Sequence, residues 1–268
     1  MSVLANQIEA AEKAEKAPPD DFLARFREIV SDPLNVLIER HRLAGYVNDE
    51  GMIVLHNGNL VPAEGEHAYC GNFSYILIIN RGVHEPLEEY VFQELLKVIP
   101  EAPTMLELGA YWGHYSMWLK RRRHLAKVYL VEPHEGNLQV GRSNFALNNL
   151  EGEFLSAFVG AGEFEVDTFL ETERIARLNI LHADIQGREV EMLKDCARSL
   201  QARAIDYLFV STHSQELHDQ VLNLLRQSGY RIEVSADFEN DTTAYDGFVF
   251  ASSPGKPSVF SGFCPMGR

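Results

Sequence analysis

Met105 to Ser116 reads Met-Leu-Glu-Leu-Gly-Ala-Tyr-Trp-Gly-His-Tyr-Ser: an apolar run closed by an acid, a loop bounded by Gly109 and Gly113, then residues that open a helix. Strand, glycine turn and helix in that order make the first crossover of a doubly wound α/β sheet, where such folds bind nucleotides. A dinucleotide fingerprint needs a glycine two residues after the first, so that backbone can approach a pyrophosphate. Tyr111 stands there instead. Glu107 adds a carboxylate that would repel a pyrophosphate and attract an ammonium group. S-adenosylmethionine, cationic at its sulfonium and its amino group, suits that pattern. The plain alternative is a strand–helix turn that holds no ligand.

Downstream, Lys127 to Val131 reads as a second buried strand ending at Glu132-Pro133. An acid at that tip, roughly 20 residues past the glycine loop, is placed to grip a ribose through its hydroxyls. The chain then alternates. Strands are expected at 104–108, 127–131, about 153–159, 178–183 and 206–211, and helices at 113–122, 135–149, 166–176, 188–200 and 215–228. Residues 230–235 and 247–251 form a closing strand pair. Such alternation predicts a doubly wound, mostly parallel sheet with helices on both faces.

Upstream, Glu85 to Val98 reads as an amphipathic helix leading into the first strand, and residues 1–84 as an N-terminal α+β cap. The cap is expected to hold an exposed helix over 2–17 closed by Pro18-Pro19, and a helix from Asp20 carrying Phe22, Phe26, Ile29 and Val30. A third helix from Pro33 to Leu43, a hairpin over 52–61 turning at Asn57-Gly58, and an apolar strand from Tyr75 to Asn80 complete it. His41, His56 and His67 show no ligand spacing and read as surface or packing residues. The expected organisation is a cap at 1–84, a nucleotide-binding domain at 85–252 and a tail at 253–268.

The 268 residues suffice to bury about three quarters of the unfolded surface in one core. With 24 Lys and Arg against 39 Asp and Glu the net charge is −15, which argues against nucleic acid or an anionic membrane as partner. The Lys120 to Arg123 run is read as a solvated helix end suited to the helix dipole. Cys70, Cys196 and Cys264 form no disulfide framework or metal spacing, which points to a reducing cytoplasm. Met1 to Lys16 lacks a signal-peptide core, and no apolar run approaches the ~18 residues of a membrane span. The charged first helix offers an arm for a homodimer.

The glycine loop, Glu132-Pro133 and the Asn144…Asn148-Asn149 series resemble FkbM-type class I methyltransferases. So do Val166-Asp-Thr-Phe-Leu170, Asp184-Ile-Gln-Gly187 and Glu189 to Lys194, in the same order over residues 83–251. The resemblance implies a seven-stranded Rossmann-like sheet with one antiparallel strand, S-adenosylmethionine as methyl donor, and O-methylation of a small molecule. Two positions depart from the family pattern: Gln186 replaces a glutamate after the fourth strand, and Ser211 replaces one at the end of the fifth.

Ligands of an open α/β sheet lie beyond the carboxyl ends of its strands. Glu107, Gly109, Ala110, Tyr111, Gly113, Glu132, Pro133, Ala157 and Asp184 are therefore the candidate donor-binding residues, with the Ser156 to Phe158 tip clasping the adenine. His213 is the candidate base for the acceptor hydroxyl, and Asp184 its neighbour at the methyl group. His182 lies deeper and reads as a core histidine, and His114, Trp112 and Tyr115 as packing residues beside the ligand. A divalent ion held by Asp184 with loop acids is not favoured, since no tight oxygen-ligand motif is present. Ala236 to Asp246 reads as an acidic, substrate-facing lid. The expectation is an O-methyltransferase of a hydroxylated metabolite such as a sugar or polyketide product. A catalytically silent donor-binding protein and a nicotinamide-dependent oxidoreductase are the alternatives.

Overall fold

A computed structural model describes residues 20–160, 162–239 and 246–260. The expected helix over 2–17, Cys264 and the central residues of the expected lid lie outside the described residues. Seven strands form one sheet in the order β5-β4-β3-β6-β7-β9-β8. Their ranges are β3 Thr104–Leu108, β4 Lys127–Val131, β5 Glu153–Leu155, β6 Leu178–Ala183, β7 Ile205–Thr212, β8 Arg231–Ala236 and β9 Gly247–Ser252. The first five are parallel, while β9 inserts antiparallel between β7 and β8. This is the doubly wound α/β sheet expected from the alternation, with the single antiparallel strand that the resemblance implies. Its switch point falls between β3 and β6, at the glycine loop.

Strand alternation sorts the side chains into two cores. Leu106, Leu108, Tyr129, Val131, Leu181, Leu208 and Val210 point to one face. There they meet α6 (Val166–Thr172), α7 (Glu189–Asp195), α8 (Ala197–Gln201) and α9 (Gln215–Gln227). Met105, Val128, Leu130, Ile180, Phe209 and Phe250 point to the other. That face is covered by α3 (Pro86–Leu95), α4 (His114–Arg122), α5 (Glu135–Leu147) and the segment before residue 85. Phe26 and Ile29 of α1 (Asp20–Ser31), with Ile53, Leu55 and Val61 of the hairpin, join Phe92, Trp118 and Phe209 in one apolar cluster. The hairpin pairs β1 (Met52–Val54) with β2 (Leu60–Pro62) around a five-residue turn at 55–59. Asn148, just past α5, clasps the backbone of Leu60 from both sides, accepting from its N–H at 2.8 Å and donating to its carbonyl at 2.7 Å.

Two expected elements differ. Pro33 to Leu43 is not a helix but a 3₁₀ turn, Pro33–Val36, followed by irregular turns. Asp32 caps that turn, and the Asn35 amide donates back to the Ile29 carbonyl at 2.6 Å. Only one side of the segment finds a core, and Val36 is left 84% exposed. Tyr75 to Asn80 is helical, α2 (Tyr75–Ile79), rather than a strand. Tyr75 to Ile78 are all buried, so no polar face marks the period, and a short continuous apolar run fits either element. The expected helix over 188–200 is two helices meeting at Cys196, and β5 stops at Leu155, short of 159. Among the described residues no helix is long and apolar enough to cross a membrane.

Candidate active site

The glycine loop rests directly on its neighbouring strands. Gly109 and Ala110 both donate to the Val131 carbonyl, at 2.9 and 3.0 Å. Gly109 has φ +72°, and a Cβ there would lie 1.7 Å from the Asp184 carbonyl oxygen, so only glycine lets the loop cross the tip of β6. Tyr111 follows at φ +41°, a left-handed position unusual for an aromatic residue, and its hydroxyl accepts from the Cys70 N–H at 2.8 Å. Asn144 fixes the loop from α5 by donating to the Trp112 carbonyl at 3.1 Å.

A cavity of about 330 Å³ opens in front of this loop. Gly109, Tyr111, Glu132, Pro133 and Asp184, all expected donor-binding residues, line it. Glu132 is oriented through both oxygens: one accepts from Tyr111 N–H at 3.2 Å, the other from His134 N–H at 3.0 Å and the Asn137 amide at 3.3 Å. Phe158, 47% exposed, lines the far wall in place of Ala157. β5 ends at Leu155, so the expected strand tip at Ser156 to Phe158 lies beyond the strand, and of its three residues only Phe158 lines the cavity.

Glu107, Ala110 and Gly113 do not line the cavity. The Glu107 side chain lies on the α3–α4 face of β3 and accepts the Ser116 N–H at 3.0 Å, satisfying a free donor in the first turn of α4. Burial raises its pKa. The carboxylate expected to meet a ligand ammonium instead caps a helix. The acidic character of the cavity comes from Glu132 and Asp184, against one cation, Arg188, that already reaches Glu191 at 3.1 Å.

Asp184 and His213 come together as expected, with Nε2 of His213 3.1 Å from Asp184 Oδ1. Gln186, held at φ +53°, donates to Asp184 Oδ1 at 3.1 Å and lies 2.9 Å from the same imidazole nitrogen. The other nitrogen, Nδ1, lies 2.8 Å from Glu189 Oε1. Burial favours the neutral ring, but the hydrogen bonds and charges of Asp184 and Glu189 outweigh it and push the His213 pKa up to about 10. The two carboxylates thus favour the imidazolium form at neutral pH. It keeps Asp184 ionised, against burial, and has no lone pair with which to take a proton. The base role expected of His213 is therefore not supported.

That charge state has a stability signature. The folded pKa of about 10 lies above the ordinary 6.5, so the imidazolium's contribution is full below pH 6.5 and is lost as pH rises towards 10. The urea-midpoint advantage of the wild type over His213→Asn is expected to be largest near pH 6 and to vanish by about pH 10. A gap constant across that window would show that the ring is neutral when folded.

The second group of chemical residues comes from α3, which the sequence marks only as an amphipathic helix. Glu85, Glu88 and Glu89 stand at i, i+3 and i+4, so they share the face turned to the sheet. On that same sheet face lie Glu107 and its register partner His182 on β3 and β6, and Ser211 on β7, two residues beyond Phe209, the partner of His182. Glu88 Oε1 pairs with His182, and its Oε2 accepts from the Ser211 hydroxyl at 3.0 Å. Burial favours neutral His182, but Glu88 prevails and raises its pKa to about 9. Glu88 of α3 thus sets a carboxylate against Ser211 on β7. Glu189 sets another against His213.

Glu85, Glu88 and Ser211 border a small cavity of about 30 Å³ with Arg25, Asp246 and Phe248. The Glu85 carboxylate is 28% exposed, accepts from the Tyr115 hydroxyl at 2.9 Å and lies 3.3 Å from His84 Nε2. Burial, aided by the charges of Glu88 and Asp184 and opposed by those of His84 and Arg25, pushes its pKa up to about 7. Sequence reasoning missed Glu85 and Glu88. The available signal was three acids on the one face of a helix that its apolar residues also require to be buried.

The family model of the methyltransferase FkbM domain matches residues 163–232, bearing out the resemblance drawn from the motifs. No curated protein matches the chain. Among solved structures, precorrin-6y C5,15-methyltransferase from Geobacter metallireducens GS-15 is 11% identical, with a TM-score of 0.47 over 62% of this chain and 88% of that one. A putative rRNA methylase from Clostridium thermocellum is 10% identical, with a TM-score of 0.48 over 62% and 94%. Aeropyrum pernix fibrillarin, solved with S-adenosyl-L-methionine bound, is 12% identical, with a TM-score of 0.41 over 57% and 68%.

Proposed function

We propose that the chain is an S-adenosylmethionine-dependent O-methyltransferase acting on a hydroxyl of a small metabolite, such as a sugar or polyketide product. The observation that carries this reading is the make-up of the larger cavity. It is pre-formed, within the roughly 300–1,000 Å³ of small-molecule sites, and lined by Glu132 and Asp184 beside a glycine loop. Two carboxylates there favour a cationic ligand and disfavour the pyrophosphate of a nicotinamide dinucleotide. S-adenosylmethionine supplies a methyl group on a positively charged sulfur, ready for in-line displacement.

The protein's contribution is alignment and proton removal. Glu132, already oriented by three donors, is the ribose partner, and Phe158 offers an aromatic wall for the adenine. Asp184, kept ionised by His213, faces the sulfonium end. Holding two reactants in line can supply roughly 7–11 kcal/mol of a barrier. Glu85, which borders the smaller cavity, is the acceptor of the hydroxyl proton as oxygen attacks the methyl carbon and S-adenosylhomocysteine leaves. A carboxylate with a pKa near 7 is suited to that exchange at neutral pH.

Calorimetry tests the donor. S-adenosylmethionine and S-adenosylhomocysteine should bind, and NAD should show no comparable heat. Glu132→Ala should weaken donor binding about 10- to 100-fold, the worth of a hydrogen bond to a charged group at roughly 1.5–3 kcal/mol. Preferential binding of NAD would end this reading, and release of S-adenosylhomocysteine in the presence of acceptor separates an enzyme from a silent binding module.

A further inference from the structure

Behind the glycine loop, next to His84 and the backbone of Glu85, lies a group of buried side chains that neither donor binding nor proton transfer uses. His56 comes from the turn of the hairpin, Glu89 from α3, and His114 from the first residue of α4. Their ligand atoms all lie within 4.8 Å of one another. His56 Nε2 is 2.7 Å from Glu89 Oε2, and His114 Nε2 is 3.9 Å from Glu89 Oε1. His114 is 1% exposed, yet neither of its ring nitrogens has a hydrogen-bond partner. Leaving a buried polar group unsatisfied is costly, so such a side chain calls for an explanation.

We propose that His56, Glu89 and His114 form a buried site for a divalent first-row transition-metal ion, best matched by zinc. Two imidazoles and a carboxylate are a familiar zinc ligand set, with Zn–N near 2.0–2.1 Å and Zn–O near 2.0–2.2 Å. Two atoms about 2.1 Å from one ion lie at most about 4.2 Å apart, so side chains spaced within 4.8 Å need only a small closure to hold it, and it gives the His114 lone pair a partner. The surroundings complete the site. Glu89 Oε1 accepts from the backbone N–H of His84 and of Glu85, at 2.8 and 3.0 Å, and lies 2.6 Å from His84 Nδ1. Outer partners of this kind hold a ligating carboxylate in place. Trp112 stacks on His114 with ring centroids 4.9 Å apart, and Trp118 meets His56 edge-on at 4.4 Å, walling the site from water. Because its three ligands come from three separate elements, the ion ties the hairpin and α3 to the helix that follows Gly113. This site is distinct from the Asp184 position considered for a metal on sequence grounds, and it serves structure rather than methyl transfer.

The test uses the full chain, untagged and purified without chelator. Elemental analysis should find about one equivalent of zinc, or of iron(II), which the same ligands suit. After chelator treatment, zinc at about 100 times its Kd should raise the Tm by roughly 5–10 °C, or restore folding if the metal-free chain is unfolded. Cobalt(II) added to the metal-free chain should give visible d–d bands with no thiolate charge-transfer band, which separates this site from Cys70 and Cys196. His56→Gln and His114→Gln should each lose the equivalent and the bands. Should those variants fail to fold, the wild-type cobalt spectrum and zinc-dependent Tm decide alone. A folded wild type that takes up no cobalt and ignores zinc overturns the proposal. So does a thiolate-type spectrum, or a His114→Gln chain that keeps its full equivalent.

Discussion

Glu85→Gln is expected to lower methyl transfer by about 10²- to 10⁴-fold, the usual worth of a general base, while donor affinity stays within a few-fold of wild type. The amide keeps the shape of the carboxylate and can still accept from the Tyr115 hydroxyl, so packing is preserved. What it loses is the capacity to take a proton. The wild-type rate should climb with pH through an apparent pKa near 7, because the carboxylate must be ionised to act. The variant should lack that limb. Turnover of the two proteins across pH, on any accepted hydroxyl compound, is the measurement, and a variant running at the wild-type rate would remove Glu85 from the chemistry.

The second large effect concerns the backbone. Gly109→Ala is expected to cost more than about 4 kcal/mol, a loss of roughly 8–16 °C in Tm, and to abolish donor binding in whatever folded protein remains. A left-handed conformation costs an alanine about 1–2 kcal/mol. The larger part is steric, since the new methyl would lie 1.7 Å from the backbone oxygen of Asp184. A peptide carbonyl at a strand tip cannot step aside as a flexible side chain would, so the loop must lift from β6 and take Tyr111 with it. Gly136→Ala in α5 serves as the control. Its Cβ meets nothing within 4 Å, and alanine should be neutral or slightly stabilising there. Thermal melts and donor titrations of the pair test the argument, and equal melts would show that β6 yields more readily than the geometry allows.

Legibility in the sequence followed physical lines. Thr104–Leu108, Lys127–Val131 and Leu178–Ala183 coincide with their expected ranges because each is a short apolar or β-branched run stopped by glycine or an acid. Tyr75–Ile79 failed because burial on every side erases the period that separates helix from strand. At the site, Gly109, Glu132 and Asp184 all line the cavity; the first two were readable from the spacing of the loop and the strand ends, and Asp184 from its place at the end of a strand together with the resemblance. The direction of a side chain was not. Glu107 has the right type at the right place, yet alternation turns it towards α4. Glu88 meets Ser211 across 123 residues of sequence, and no local pattern could announce that pairing. His213 was found by type, but its two carboxylate neighbours, which decide its charge, only meet in the fold.

The apolar cluster that unites residues 26–63 with Phe92, Trp118, Phe209 and Phe250 also sets an order of assembly. A chain leaving the ribosome presents its N-terminal segment first, while the surfaces that cover it arrive last. The clasp between Leu60 and Asn148 closes a loop of 88 residues, and Phe209 is further away still. The early segment therefore spends most of synthesis with Ile53, Leu55 and Phe73 uncovered, at the mercy of chaperones or of neighbouring chains. Long-range closures of this kind slow folding in general, so C-terminally truncated products are expected to expose this cluster and aggregate.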